Sequence, residues 1–465
     1  MNEKSDSKWL SLATTTMDGG SAGFAGATNR SVSILGQPSR GFQVIVMESI
    51  YSAVFKSELN VMIKINKVFK IIVLILAASL LSACTLLKSS GELITGVTSY
   101  FLGGEDNTVP PAELVKYDPE IEIDVLWKES VGVGTNKQFL NLVLAVSYGK
   151  VIAADRNGLV HARDMNTGDL IWKTETEYSF SAGPGIGINT VILASSNAEI
   201  VALDIETGEQ KWEYSVSSEV LATPVITNNV VIIRTTDGRV FAFSEEHGVQ
   251  LWSFERSVPA LSIRGTGTPL IVEENVIAGY ANGKLVSLRL LDGKVGWETS
   301  IAIPSGRSEV ERLVDLDVDP VETDGVIYIS SYQSGTTAVL ELDGDVLWRN
   351  EDVSSYSGLS YDWRYLYVSD SSSHVWQLDQ RNGGSLWRQD ELSYRILTAP
   401  VAYDDYVVVG DYDGYIHWLA NSDGRQLGRV KVADSAIVAR PVIIDNTVYV
   451  YSKDGTLAAL KARLF

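Results

Sequence analysis

Four histidines and one cysteine are the side chains of this sequence best suited to hold a metal ion or to act as a nucleophile. The histidines are His161, His247, His374 and His417, and none stands at metal-ligand spacing from another histidine or from Cys84. No phosphate-binding loop or metalloprotease motif accompanies them. We therefore expect structural roles for the histidines, and the sequence predicts neither a catalytic site nor a metal site.

The single thiol, Cys84, ends a stretch that predicts export. Three lysines between residues 64 and 70 precede an apolar run at 71–80, which is too short to span a bilayer comfortably and is typical of a secretory signal. The Leu-Ser-Ala-Cys tail at 81–84 is similar to the bacterial lipobox, and this similarity implies cleavage before Cys84 and lipidation of its thiol. A signal anchor with an incidental cysteine is the open alternative.

Two segments combine residue types that are common at protein interfaces. One carries Leu261, Ile263 and Arg264, and the other carries Asp315 and Asp317. Exposed apolar side chains next to an arginine are typical of binding hot spots, so we expect these residues to contact a partner protein. Alternatively, Arg264 forms a local bridge to a carboxylate such as Asp315 and simply orders the two segments.

A repeat surrounds these segments. A glycine precedes a tryptophan by four residues at Gly168/Trp172 and Gly208/Trp212, and the pattern recurs to the C-terminus. Later copies are Gly248/Trp252, Gly293/Trp297, Gly344/Trp348 and Gly383/Trp387, and Gly424/Gly428 lacks the ring. The interval of about 40 residues, stretching once to roughly 50, fits four strands per propeller blade. We expect these tryptophans to pack between blades.

Each unit also contains a hairpin signal between two short apolar runs. Asn-Gly and Asp-Gly pairs close two-residue hairpins, because their backbone accepts a positive φ. The eight turns are Asn157-Gly158, Asn197-Ala198, Asp237-Gly238, Asn282-Gly283, Ser334-Gly335, Ser372-Ser373, Asp413-Gly414 and Asp454-Gly455. The prediction is an all-β, eight-bladed propeller with four antiparallel strands per blade, such as 222–227, 230–235, 239–244 and 249–254.

In this arrangement the two candidate binding segments are loops that join the outer strand of one blade to the inner strand of the next. Such connections emerge on the same face as the Asn-Gly hairpins, and the blades are neighbours, so the loops should lie side by side.

The eighth unit ends at Phe465 without a fourth strand. An orphan strand at residues 123–129, which carries Trp127, lies upstream of the first full blade. We expect this strand to pair with residues 457–461 and to close the ring as the outer strand of the last blade.

Composition and charge fit a folded scaffold. The chain has 465 residues, of which 45% are hydrophobic, and its net charge of −20 argues against a nucleic-acid partner. We divide it into an upstream extension at 1–61, a lipoprotein signal peptide at 62–83, a lipid anchor and flexible tether at 84–120, and the propeller at 121–465. Translation is expected to begin at Met62, with 1–61 not native; a disordered N-terminal tail is the alternative.

The repeat Ala-x-Asp-x-x-Thr-Gly-x-x-x-Trp resembles that of eight-bladed quinoprotein dehydrogenases. This resemblance implies a quinone-dependent periplasmic dehydrogenase as the alternative function. The adjacent cysteine pair of those enzymes cannot exist in a chain with one cysteine, and the large insertions that house the quinone are missing.

A lipobox, a short tether and an eight-bladed ring of Thr-Gly-x-x-x-Trp repeats together resemble the BamB family, lipoprotein subunits of the outer-membrane β-barrel assembly (Bam) machinery. The resemblance covers residues 62–465. It implies a non-enzymatic scaffold without a cofactor, anchored on the periplasmic face of the outer membrane of a Gram-negative bacterium. Thr85 is consistent with this location, because inner-membrane retention of such lipoproteins uses Asp at that position.

The same resemblance implies contact with the periplasmic domains of BamA, and with other Bam subunits, through Leu261, Ile263, Arg264, Asp315 and Asp317. Ile263 departs from the leucine of the family motif. Direct binding of unfolded outer-membrane proteins stays open.

Overall fold

The computed structural model describes residues 109–259, 261–262, 267–304, 307 and 312–465 as a ring of β-sheets. Eight sheets are arranged around the ring, and six of them consist of four consecutive strands in sequence order from the inside outwards. Within the described residues, no helix is long and apolar enough to cross a membrane. The all-β, eight-bladed propeller expected from the repeat is confirmed.

The strands follow one another blade by blade around the ring. Before the first blade lie β1 (Ile121–Ser130) and β2 (Asn141–Leu142). Blades 1 and 2 contain β3 (Leu144–Ser147), β4 (Lys150–Ala154), β5 (Leu159–Asp164), β6 (Leu170–Glu175), β7 (Phe180–Ile186), β8 (Thr190–Ser195), β9 (Glu199–Asp204) and β10 (Gln210–Ser215). Blades 3 and 4 contain β11 (Val225–Thr227), β12 (Val230–Arg234), β13 (Arg239–Ser244), β14 (Gln250–Glu255), β15 (Leu270–Val272), β16 (Asn275–Gly279), β17 (Lys284–Arg289) and β18 (Val295–Ser300). Blades 5 and 6 contain β19 (Val321–Thr323), β20 (Val326–Ser331), β21 (Gly335–Leu340), β22 (Val346–Asn350), β23 (Leu359–Tyr361), β24 (Tyr365–Ser369), β25 (Val375–Asp379) and β26 (Ser385–Gln389). Blades 7 and 8 contain β27 (Val401–Tyr403), β28 (Tyr406–Gly410), β29 (Tyr415–Ala420), β30 (Gln426–Lys431), β31 (Val442–Ile444), β32 (Thr447–Tyr451) and β33 (Thr456–Leu464).

The hairpin turns have the backbone geometry that their residues predict. The second residue of all eight turns has a positive φ, including Ala198 at 67° and Ser373 at 64°. The two middle strands of each blade are buried on both faces, because each blade packs against a neighbour on either side. Between blades 3 and 4, for example, Ile232 and Val240 pack in one cluster with Val276 and Val286. The hydrophobic core is therefore divided among the spaces between blades.

A tryptophan–glycine contact links neighbouring blades at seven of the eight junctions. The Trp172 ring lies over Gly208 of blade 2, where an added Cβ would be 2.5 Å from the ring. Its indole N–H donates to the carbonyl of Ile205 at 3.0 Å. Seven tryptophans in the described residues make both contacts, in the pairs Trp127/Gly168, Trp172/Gly208, Trp212/Gly248, Trp252/Gly293, Trp297/Gly344, Trp348/Gly383 and Trp387/Gly424. The expected packing role is thus observed, with an added hydrogen bond.

The copy without a tryptophan also has a structural explanation. Gly428 lies in β30 of blade 7. The blade that follows has no turn between its third strand, β33, and its fourth strand, because the fourth strand is β1 from a distant part of the sequence. No turn glycine is present to receive a ring. Instead, Ile121 of β1 occupies the space beside Gly428, and an added Cβ would lie 2.8 Å from its Cγ1.

The ring closes as expected from the sequence, with the orphan strand in the last blade. β1 pairs antiparallel with β33, from Ile121 opposite Leu464 to Ser130 opposite Thr456, with a register shift between Val125 and Trp127. One addition was not expected from the sequence: the short strand β2 pairs parallel with β7 and makes blade 2 five-stranded.

Residues 112–120, which the sequence assigns to a flexible tether, run across the outside of blade 7. The carbonyl of Ala112 accepts a hydrogen bond from Arg395 Nη1 at 3.0 Å. Arg429 lies over the Tyr117 ring, 5.1 Å from its centroid. Glu120 forms an ion pair with Arg425. The closing strand is therefore preceded by a segment held on the ring.

We expect Trp127→Ala to lower the free energy of unfolding of the ring by about 3–5 kcal/mol, because it removes a buried ring from the closing contact. Trp363→Ala is the matched control, since that side chain is 81% exposed, and it should leave stability nearly unchanged. Urea unfolding of the two variants measures the difference. Equal stability of Trp127→Ala and the wild type would contradict closure of the ring by this contact.

Candidate partner-binding face

Two long connections lie on one face of the ring. Residues 256–269 lead from β14 to β15, and residues 301–320 lead from β18 to β19. Each begins at a hairpin of its own blade: Arg256 N donates to Gly238 O at 3.0 Å, and Ile301 N donates to Gly283 O at 2.9 Å. The two loops therefore share the face that carries the hairpins, as expected from four antiparallel strands per blade.

The structure places three of the candidate interface residues. Leu261 is 44% exposed, as an apolar contact residue requires. Asp315 is only 2% exposed, and Asp317 is partly buried. Ile263, Arg264 and the proposed lipidation site Cys84 lie outside the described residues. The two acidic residues are thus less accessible than their sequence pattern suggests.

The described ends of the two loops are joined directly. The backbone N–H of Thr268 donates to Asp319 Oδ1 at 2.6 Å. Gly267 approaches the second loop so closely that an added Cβ would lie 2.7 Å from the carbonyl oxygen of Val318. A side chain at position 267 would therefore push the loops apart.

A buried arginine that the sequence reasoning missed lies beneath both loops. Arg234, at the end of β12, is 3% exposed and donates through Nη1 to the carbonyl of Gly267 at 2.9 Å. Its guanidinium lies over the Tyr280 ring, 5.2 Å from the centroid. Burial lowers the pKa of Arg234, and the nearby carboxylates of Asp317 and Asp319 oppose this effect. The sequence feature that could have revealed Arg234 is a positively charged residue at the end of an otherwise apolar strand.

The carboxyl group of Asp317 is strongly perturbed in this environment. Burial raises its pKa to about 7, the charge of Arg234 acts in the opposite direction, and the negative charge of Asp315 raises it further. Asp317 therefore changes its charge near neutral pH, at the base of the candidate face.

The histidines occupy separate blades. His417 is buried and lies 3.0 Å from Asp411 Oδ2, which Arg395 also contacts. His374 contacts Asp370, burial lowers the pKa of His161 to about 4, and His247 lies at the surface. Among the described residues, no group of three or more histidine, cysteine or acidic side chains is arranged to hold a metal ion.

Comparison with known proteins identifies the family. A sequence model described as "Outer membrane protein assembly factor BamB" matches residues 156–389 and 373–463. A protein of that name from Alkalilimnicola ehrlichii is 52% identical over 341 residues, which cover 73% of this chain and 89% of the relative. The chain belongs to the BamB family. The Pseudomonas aeruginosa member is 48% identical over 355 residues, covering 76% of this chain and 93% of the relative.

Solved structures agree with this assignment. The crystal structure of BamB from Moraxella catarrhalis matches 73% of this chain and 100% of that chain, with 25% identity and a TM-score of 0.66. A quinohemoprotein alcohol dehydrogenase from Comamonas testosteroni matches 74% of this chain and 77% of that chain, with 14% identity and a TM-score of 0.58, and shares only the fold. The BamB family consists of assembly factors, so the non-enzymatic interpretation is confirmed over the dehydrogenase.

The pKa of Asp317 predicts a pH-dependent stability. Folding raises the pKa of the Asp317 carboxyl group from 3.8 to about 7. The stabilisation that the protonated carboxyl group gives to the folded state is therefore fully present below about pH 4 and is lost as pH rises towards 7. Relative to Asp317→Asn, which does not titrate, the wild type should lose up to about 4 kcal/mol over this range. Urea unfolding at several pH values between 4 and 8 measures the difference.

Asp434→Asn, at a side chain that is 97% exposed and pairs with Lys431 at the surface, is the control for loss of a surface carboxylate. If the difference in free energy of unfolding between Asp317→Asn and the wild type is the same at every pH, the pKa of the Asp317 carboxyl group is not raised by folding.

Proposed function

We propose that this chain is a lipid-anchored, non-catalytic scaffold of the Bam complex that binds the periplasmic domains of BamA through its loop-bearing face. Membership of a family of outer membrane protein assembly factors supports the role in assembly. Two long loops from adjacent blades support the choice of this face as the binding surface. They are joined by the hydrogen bond from the backbone N–H of Thr268 to Asp319.

Exposed apolar side chains on both loops provide contact area. Leu261 on the first loop is 44% exposed, and Ile303 on the second is 70% exposed. Burying apolar side chains of this size against a partner is favourable, and a neighbouring arginine adds directional hydrogen bonds. Leu261, Ile263 and Arg264 are therefore assigned to direct contact with BamA.

The two acidic residues are assigned mainly to loop positioning. Asp315 is almost fully buried, and a buried carboxylate contributes little contact area to a partner. Its burial favours a role in holding the second loop, and Asp317 lies beside it within the electrostatic reach of Arg234. A bridge between Arg264 and Asp315 is compatible with this role.

The membrane attachment is proposed from the sequence. Cleavage of a signal peptide at 62–83 would leave lipidated Cys84 at the N-terminus, followed by a tether that reaches the ring where Ala112 contacts Arg395. Mass spectrometry of the protein from native membranes should find a lipidated N-terminal peptide beginning at Cys84. Intact peptides from residues 1–61 would refute both the start site and the cleavage.

We expect Leu261→Asp and Arg264→Ala to weaken binding to the isolated periplasmic domains of BamA by about thirtyfold or more, since loss of a central anchor costs on the order of 2 kcal/mol. Thermal midpoints should stay close to the wild-type value, because Leu261 is exposed. Titration calorimetry measures the affinity.

Leu342→Asp is the matched control: this leucine is 84% exposed and lies in the turn between β21 and β22, on the opposite face. It should bind BamA like the wild type. The proposed face is wrong if Leu342→Asp weakens binding while Leu261→Asp does not. If Arg264→Ala loses stability and affinity in proportion, the internal bridge is favoured over direct contact.

A further inference from the structure

We propose that Arg234 is the positioning residue of the BamA-binding face, fixing the two loops of blades 3–5 relative to each other from beneath. This inference rests on the function proposed above, since it explains how the loops form one surface. Arg234 itself is buried and does not contact the partner.

The strand register shows that an arginine at this position is exceptional. Arg234 pairs with Val240, which lies two residues after the hairpin residue Gly238. The residue at the same position relative to the hairpin can be identified in every blade. The equivalent residues are Ala154, Ala194, Gly279, Ser330, Ser369, Gly410 and Tyr451. None of them is charged. The single cation at this ladder position therefore falls in blade 3, whose outer strand leads into the first long loop.

The partners of Arg234 belong to different blades and to both loops. Its N–H group donates to Gly267 at the end of the first loop, and its guanidinium covers Tyr280 of blade 4. Asp317 and Asp319 of the second loop supply compensating negative charge. Burying a guanidinium is costly unless it is paired and hydrogen-bonded, and here each loop provides only part of what it needs. Groups from both loops therefore help to compensate the buried charge of Arg234.

A purely structural arginine offers the matched comparison. Arg163 in β5 is also buried and donates through Nη1 to a glycine carbonyl, that of Gly168, at 2.7 Å. Arg163 also pairs with Glu129 of the closing strand β1 at 3.1 Å, so its partners lie in blades 1 and 8 and not in the two long loops. Loss of Arg163 should therefore cost stability without moving the two loops.

The experiment compares Arg234→Met, Arg234→Lys and Arg163→Met in the full ring. Affinity for the periplasmic domains of BamA is measured well below the melting temperature of each variant, and hydrogen exchange is measured on the free proteins. We expect Arg234→Met to weaken binding by about tenfold or more and to speed exchange at residues 267–269 and 312–318 together. Lysine should restore part of both, because it returns the charge without the planar group that covers Tyr280.

Arg163→Met should bind BamA within about twofold of the wild type even at an equal loss of thermal stability, and its loop exchange should be unchanged. The inference is overturned if folded Arg234→Met keeps wild-type exchange in both loops, or if Arg163→Met weakens binding equally. Should Arg234→Met fail to fold, Arg234→Lys carries the same two readouts. If the wild type itself does not bind BamA, the proposed partner fails, and the exchange data alone decide whether Arg234 positions the loops.

Discussion

The ring depends on one repeated contact, an indole lying on the turn glycine of the next blade. The glycine must lack a side chain because the ring fills that space, and its positive φ of 65–81° in these turns suits glycine as well. The indole N–H adds a directional hydrogen bond to a carbonyl of the same turn. Apolar packing alone would let neighbouring blades slide, whereas the hydrogen bond fixes their register. Trp127 extends this contact to the closing strand, so β1 and β33 are held together in the last blade.

A ring held in this way presents its loops on a rigid frame. Blades 3, 4 and 5 carry the two longest connections, and the charges beneath them lie where the blades meet. Burying the charged groups of Arg234 and Asp317 costs free energy, so these residues are unlike side chains that only stabilise a fold. Their position is better explained if they hold the two loops in one arrangement. The ring fixes the positions of the two loops, which we propose to be the surface that recognises the partner.

Most of the fold could be predicted from the sequence because it is local and repeated. The glycine–tryptophan spacing, the hairpin pairs and the orphan strand around Trp127 each follow from short-range rules, and all three are found in the structure. The parallel strand β2 could not be predicted, because a two-residue pairing with β7 leaves no periodic pattern. The candidate site was predicted less well. Leu261 is exposed as expected, but the burial of Asp315 depends on how the loop folds back over blade 4. Arg234 was missed, although aligning the second strands of the blades would have revealed a lone cation.

Docking of the loop-bearing face on BamA is tested most directly by site-specific photo-cross-linking in living cells. A photoreactive amino acid at Ile303, which is 70% exposed on the second loop, should give an adduct with BamA. The same amino acid at Leu291, which is 81% exposed in the turn between β17 and β18 on the opposite face, should give none. An adduct from position 291 together with none from position 303 would contradict docking through the loop-bearing face.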